Sequence, residues 1–145
     1  MSKIVISNKK AHFNYEFIEK YETGISLKGS EVKSIVLSQA SLDEAFVIIK
    51  REEAYILNMY VAPFKQGNIA SDQSTRTRKL LLHKNEIVKI DNYVKKNKTA
   101  IVPVDVHLSH GKIKLTIAIA KSKNKSDKRE TIKKRDDQRV IKQYI

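Results

Sequence analysis

Val102-Pro103-Val104-Asp105-Val106-His107-Leu108-Ser109-His110-Gly111-Lys112-Ile113-Lys114-Leu115-Thr116-Ile117-Ala118-Ile119 decides the fold class of this chain. Apolar side chains recur at every second position on both sides of Ser109-His110-Gly111. Val102, Val104, Val106 and Leu108 precede it, and Ile113, Leu115, Ile117 and Ile119 follow it. Period two is the spacing of one face of a β-strand. Gly111 supplies the positive φ of a tight turn, so the two runs read as an antiparallel hairpin. Pro103, Asp105 and His107 then occupy the other face of the first strand. Lys112, Lys114, Thr116 and Ala118 occupy the other face of the second.

The same alternation recurs further out. Phe46–Lys50 and Tyr55–Val61 read as a second hairpin around Arg51-Glu52-Glu53, and a strand is expected from Phe17 to Leu27. That strand crosses Gly24, which marks a bulge or the close approach of another backbone. Helical signals interrupt the strands. Gly29-Ser30-Glu31-Val32-Lys33-Ser34-Ile35 offers Ser30 as N-cap, Glu31 in the first turn, and Val32 with Ile35 on one side. A longer helix begins near Leu80 or His83 and runs to about Lys96, with Ile87, Ile90 and Val94 inward and Lys84, Glu86, Asp91 and Lys95 outward. A short helix is expected around Asn8–Asn14. Residues 63–75 form a long polar loop. Short antiparallel strands with one apolar face close into barrels or sandwiches, so the chain reads as mainly β, a small barrel with about three helices.

Lys121–Ile145 departs from this pattern. It holds ten Lys or Arg against four Asp or Glu, no Gly and no Pro. So little apolar surface does not offset ordering entropy, yet the residues are adequate helix formers. The segment reads as a basic arm that becomes helical against a polyanion, or as a solvated solubility tail. The whole chain carries +13 over 145 residues, with a pI near 9.8. That charge implies a polyanionic partner, nucleic acid first and an anionic membrane surface second. No basic segment has the broad apolar face a membrane surface needs, and no apolar run is long enough to span one. With no signal-peptide pattern and no cysteine for disulfides or thiolate metal sites, a cytoplasmic location is expected.

Motifs for catalysis are missing. His12, His83, His107 and His110 lack metal-site spacing, and no P-loop, GxGxxG or GxSxG exists. His107 and His110 read as polar surface residues beside the hairpin turn. No cofactor and no metal is indicated. For binding, Arg76 and Arg78 alternate within Thr75-Arg76-Thr77-Arg78-Lys79, so on an extended segment they share one side. There they straddle successive phosphates or simply form a solvated basic loop. Lys9, Lys10, Lys112 and Lys114 extend the positive surface.

Taken together, several motifs carry a family resemblance. Asn8-Lys9-Lys10-Ala11 precedes Tyr15, Glu22-Thr23-Gly24-Ile25 and Gly29-Ser30-Glu31-Val32-Lys33-Ser34. Pro63-Phe64-Lys65-Gln66-Gly67-Asn68, Arg76-Thr77-Arg78-Lys79-Leu80-Leu81-Leu82-His83 and Ala120-Lys121 follow. The last is Asp127-Lys128-Arg129-Glu130-Thr131-Ile132-Lys133-Lys134-Arg135. In this order and spacing the chain resembles the bacterial SsrA-binding protein family, small protein B (SmpB), over almost its whole length.

The resemblance implies an OB-like antiparallel β-barrel with three helices and a role in trans-translation. Members bind the tRNA-like domain of transfer-messenger RNA (tmRNA) and accompany it into the A site of stalled ribosomes. It implies a barrel domain over 1–120 and a basic tail over 121–145, disordered alone and helical in the empty mRNA channel. The positions it assigns to RNA are Lys9, Lys10, Glu22, Gly24, Lys33, Asn68, Arg76, Arg78, Lys79, Leu81, His83, Lys114 and Lys121. Those it assigns to the ribosome are Asp127, Lys128, Arg129, Ile132, Lys133, Lys134 and Arg135. It implies a monomer with no catalysis and no membrane partner. This chain departs from the family pattern at Phe13, Gln73, Ser74, Ser122 and Asp137. A generic RNA binder and a small hydrolase built from scattered side chains are the rival readings.

Overall fold

In chain order, the computed structural model runs β1 (Ser2–Ser7), α1 (Lys9–Asn14), β2 (Tyr15–Gly24), α2 (Gly29–Val36), β3 (Ala40–Ser41) and β4 (Phe46–Lys50). After these come β5 (Glu53–Leu57), β6 (Tyr60–Val61), β7 (Arg78–Leu80), α3 (Lys84–Asn97), β8 (Ala100–Ser109) and β9 (Lys112–Ser122). It describes residues 2–63 and 74–123. Asn68 and the tail positions from Asp127 onward lie outside them. β9 continues two residues past the expected boundary at 120, and the Lys123 N–H donates to Asn14 O at 2.7 Å.

The strands pair in three antiparallel sheets: β1-β8-β9-β2, β3-β6 and β4-β5-β7. Among the described residues they do not link into one closed hydrogen-bonded barrel, and the fold is mainly β with three helices. One core nevertheless joins them: Leu115, Ile117 and Ile119 of β9 meet Val106, Ile56, Val47, Leu80, Val61, Ile35 and Ile90. Each such side chain contributes about 1.5–3 kcal/mol by leaving water.

The β8–β9 hairpin forms as expected, on a two-residue turn with His110 at φ 52° and Gly111 at φ 77°. The inward face of β8 does not. Pro103 pairs with Ile117 and Asp105 with Thr116, so Val104 is an extra residue opposite one step of β9. One inserted residue flips the alternation. Ile101 and Val106 therefore face the main core, while Val102 packs with Ala11 and Ala120 under α1. Pro103 has no N–H to pair, and its carbonyl accepts from Asn8 Nδ2 at 2.8 Å. Asn8 also caps α1, its Oδ1 accepting from the Ala11 N–H at 3.1 Å.

Other boundaries shift for local reasons. β4 and β5 turn on Arg51 and Glu52, both in left-handed backbone without glycine. Asn58, at φ 62°, ends β5, and Tyr60–Val61 crosses to pair with β3 instead of continuing the hairpin. Lys28, not Ser30, is the N-cap of α2; its backbone N–H donates to Glu31 Oε1 at 2.8 Å. Glu31, Ser34 and Ile35 face inward and Val32 is exposed. α3 starts after His83, whose N–H donates to Glu86 Oε1, and stops at Lys98 in left-handed backbone.

Candidate nucleic-acid interface

A guanidinium inside a protein needs a partner for each donor, and the Thr75–Lys79 motif meets that demand within the fold. Arg78 is 0 % exposed. Its Nη2 and Nε donate to Glu31 Oε2 at 2.6 and 2.9 Å. Its remaining contacts are the carbonyls of Met59, Ser74 and Arg76. Arg76 grips the same carboxylate with a fork, Nη2 to Oε1 at 2.7 Å and Nε to Oε2 at 3.1 Å. Burial opposes the Glu31 charge, but Arg76, the Lys28 N–H and Arg78 outweigh it and hold the carboxyl at about 2. The expectation that both arginines straddle phosphates from one side is therefore corrected. Arg78 has no exposed surface for RNA, and the donors of Arg76 are directed at Glu31 and the Ser26 and Thr77 carbonyls.

The outer face of the four-stranded sheet is different in kind. Glu22 and Asp105 both stand opposite Thr116, on the strands either side of β9; Gly24 and His107 both stand opposite Lys114. Across this grid His107 Nε2 reaches Glu22 Oε2 at 2.6 Å, while Nδ1 reaches Asp105 Oδ1 at 2.9 Å and Thr116 Oγ1 at 3.4 Å. His107 is thus a buried network residue, not the surface side chain expected beside the turn. Burial opposes its charge, but the bonds from Glu22 and Asp105 outweigh this and raise its pKa above the ordinary 6.5. Beside this network, the Leu81 N–H donates to Gly24 O at 2.9 Å. A Cβ on Gly24 would lie 3.2 Å from Leu81 Cδ1, so the close approach expected at Gly24 is made by β7's end. Leu80 enters the core and Leu81 stays 57 % exposed. Glu22, Gly24, Leu81 and Lys114, far apart in sequence, form one surface.

Comparison with known proteins identifies the group to which such a chain is related. The family model described as "SmpB protein" matches residues 5–145. The chain belongs to the SmpB family. An SsrA-binding protein of Malacoplasma penetrans is 52 % identical over 99 % of this chain and 98 % of its own. One from Fusobacterium nucleatum is 52 % identical over 96 % and 94 %. A solved chain described as "tmRNA-SmpB: a journey to the center of the bacterial ribosome" has TM-score 0.71 at 33 % identity, covering 90 % of this chain and 95 % of that one.

Elsewhere on this SmpB family chain, Lys9 and Lys10 stand on α1, which leads into β2, and Lys121 stands on β9 at the opposite end of the sheet from Glu22. Lys121 pairs with Glu16, about 17–20 Å along β2. Lys10 is bridged to Glu44 at 3.0 Å and Lys79 to Glu53 at 2.7 Å, all on exposed side chains. Lys33 is exposed on α2 and His83 at the start of α3. No helix among the described residues is long and apolar enough to cross a membrane. Both His107 nitrogens are occupied, and among the described residues no cluster of three His, Cys, Asp or Glu is arranged to hold a metal ion. Sequence reasoning missed His107 and Asp105 as site residues. The available signal was their period-two spacing on the strand face opposite Val106; the pairing that adds Glu22 is long-range.

Proposed function

We propose that this chain is a tmRNA-binding protein of trans-translation. It binds the tRNA-like domain of tmRNA and accompanies it to the A site of stalled ribosomes. It acts as an RNA-binding protein, not as an enzyme. The observation that carries the reading is family membership along nearly the whole chain, residues 5–145. The surface of Glu22, Gly24, Leu81 and Lys114 supports the reading: it offers a cation for phosphate, an exposed apolar side chain for a base or sugar, and a carboxylate that accepts donors. Lys9 and Lys10 on α1 and Lys121 at the far end of β9 add positive charge elsewhere on the molecule, with further phosphate contacts from Lys33, Lys79 and, through what its ion pair leaves exposed, Arg76. His83 and Asn68 keep the RNA-facing roles the resemblance implies.

The three sheets around one core read as an open OB-like barrel. The tail, including Asp127, Lys128, Arg129, Ile132, Lys133, Lys134 and Arg135, folds as a helix against rRNA, whose phosphates neutralise charges that repel along it. The protein works as a cytoplasmic monomer. The test is competition between tmRNA and tRNA at matched salt, with full-length protein and a chain ending at Lys123. Both are expected to prefer tmRNA, and only the full chain to support tagging on stalled ribosomes. Equal affinity for the two RNAs would refute the reading.

A further inference from the structure

His107 has two acceptors and offers two nitrogens. With both carboxylates ionised, Asp105 Oδ1 and Glu22 Oε2 are both satisfied only when each ring nitrogen carries a hydrogen, so the geometry favours the doubly protonated ring. The His107 side chain is 7 % exposed and Asp105 15 %, whereas Glu22 is 54 % exposed. One Glu22 oxygen is thus gripped from below while the carboxylate keeps acceptor capacity toward solvent. The groups around the ring are Asp105 on β8, Glu22 on β2 and Lys114 on β9, and β1 contributes uncharged Ile4 opposite it. An exposed carboxylate on a chain of +13 repels phosphate, so it lowers non-specific RNA affinity. What an acceptor-only group can reward is an N–H or O–H donor, which a phosphodiester lacks and a folded RNA presents at fixed positions.

We propose that His107 is a positioning residue for RNA recognition: it holds the Glu22 carboxylate above Thr116, where that carboxylate accepts a base N–H or ribose O–H of the bound RNA and selects it over unstructured RNA. The inference rests on the RNA-binding reading above and adds the residue that sets its selectivity. Without the ring, Glu22 is a flexible surface side chain that gives up rotamer entropy on meeting a donor.

The test titrates full-length protein with the tRNA-like domain of tmRNA and with poly(U) at one salt concentration. Glu22→Gln and His107→Phe are each expected to weaken binding to the folded RNA about tenfold, with the double variant no weaker than either. Poly(U) affinity does not fall in Glu22→Gln, which removes a charge that repels phosphate, and the salt slope of His107→Phe, whose ring lies beneath the carboxylate, stays unchanged. His107→Gln keeps an N–H for Glu22 and is expected to stay within about threefold of the parent. Affinity for the folded RNA falls as pH rises past the raised ring value, and His107→Phe abolishes that dependence. Because His107→Phe strands the Asp105 charge, Asp105→Asn with His107→Phe serves if the single variant melts early. Losing the Glu22→Gln penalty with inosine-substituted RNA assigns a guanine amine; losing it with 2′-fluoro RNA assigns a ribose hydroxyl. Unchanged affinity in His107→Phe, or additive losses in the double variant, overturns the proposal. Ring ¹⁵N shifts of the free protein test the clamp without RNA, and a neutral ring at pH 7 also overturns it. A parent protein that binds poly(U) as tightly as the folded RNA refutes the function above, a result distinct from either.

Discussion

Arg78 and Glu31 stand 47 residues apart in the chain and meet where water is excluded, with side chains 0 % and 2 % exposed. The contact closes α2 onto β7, and Arg76 adds a second guanidinium to the same carboxylate. A lone buried charge is costly, but this carboxylate receives N–H donors from Arg78, Arg76 and the Lys28 backbone. The motif that looked most like an RNA clamp is a fold clamp.

Removing Glu31 leaves the buried Arg78 guanidinium without a counter-charge, and removing Arg78 takes the fully buried partner from a carboxylate left with Arg76 and the Lys28 N–H. Arg78→Ala and Glu31→Ala are each expected to cost about 3–5 kcal/mol, read as a fall in urea midpoint with little change in slope. The double variant should lose much less than the sum of the two. Losses under 1 kcal/mol would show that water reaches the pair.

The same carboxyl predicts an acid limit. Its folded value of about 2 lies below the ordinary 4.5, so its contribution is complete above pH 4.5 and is lost as pH falls toward 2. A shift of that size corresponds to something on the order of 3 kcal/mol. Urea unfolding at pH 6, 4 and 2.5 should show the loss in the parent and not in Glu31→Gln, which starts from lower stability.

Phosphate contacts reveal themselves in salt dependence. Lys114→Ala is expected to reduce the slope of log K against log salt by about 0.7–0.9, the contribution of one contact. Arg78→Lys, if folded, should leave it unchanged. A smaller slope in the Arg78 variant would place that guanidinium on RNA after all.

Gly24→Ala tests how closely β2 and Leu81 must approach. The new Cβ would sit 3.2 Å from Leu81 Cδ1, at the end of an exposed side chain that can rotate. Stability should change by less than about 1 kcal/mol, while affinity for the tRNA-like domain falls because Leu81 is displaced. Unchanged affinity would remove Leu81 from the interface.

How far the sequence can be read differs from element to element. The hairpin around Gly111, the three helices and the inward Ile87 and Ile90 were legible, because period and turn chemistry are local properties. The inward face of β8 was not: a bulge at Val104 reverses alternation, and whether an extra residue is accommodated depends on the partner strand. Nor could Leu80, Leu81 and Leu82 be sorted, since the pairing of Leu80 with Ala54 and its bridge to Ile25 decide which enters the core.

The site divides in the same way. Charge, motif order and family resemblance were properties of the chain itself, and they carried the functional class. Whether Arg78 faces a phosphate or a carboxylate, and whether His107 is a turn residue or a buried clamp, belonged to the tertiary structure. Both depend on partners 47 and 85 positions away. A side chain's ionisation and exposure are set by what packs against it, and no local pattern encodes a neighbour brought in by long-range strand pairing.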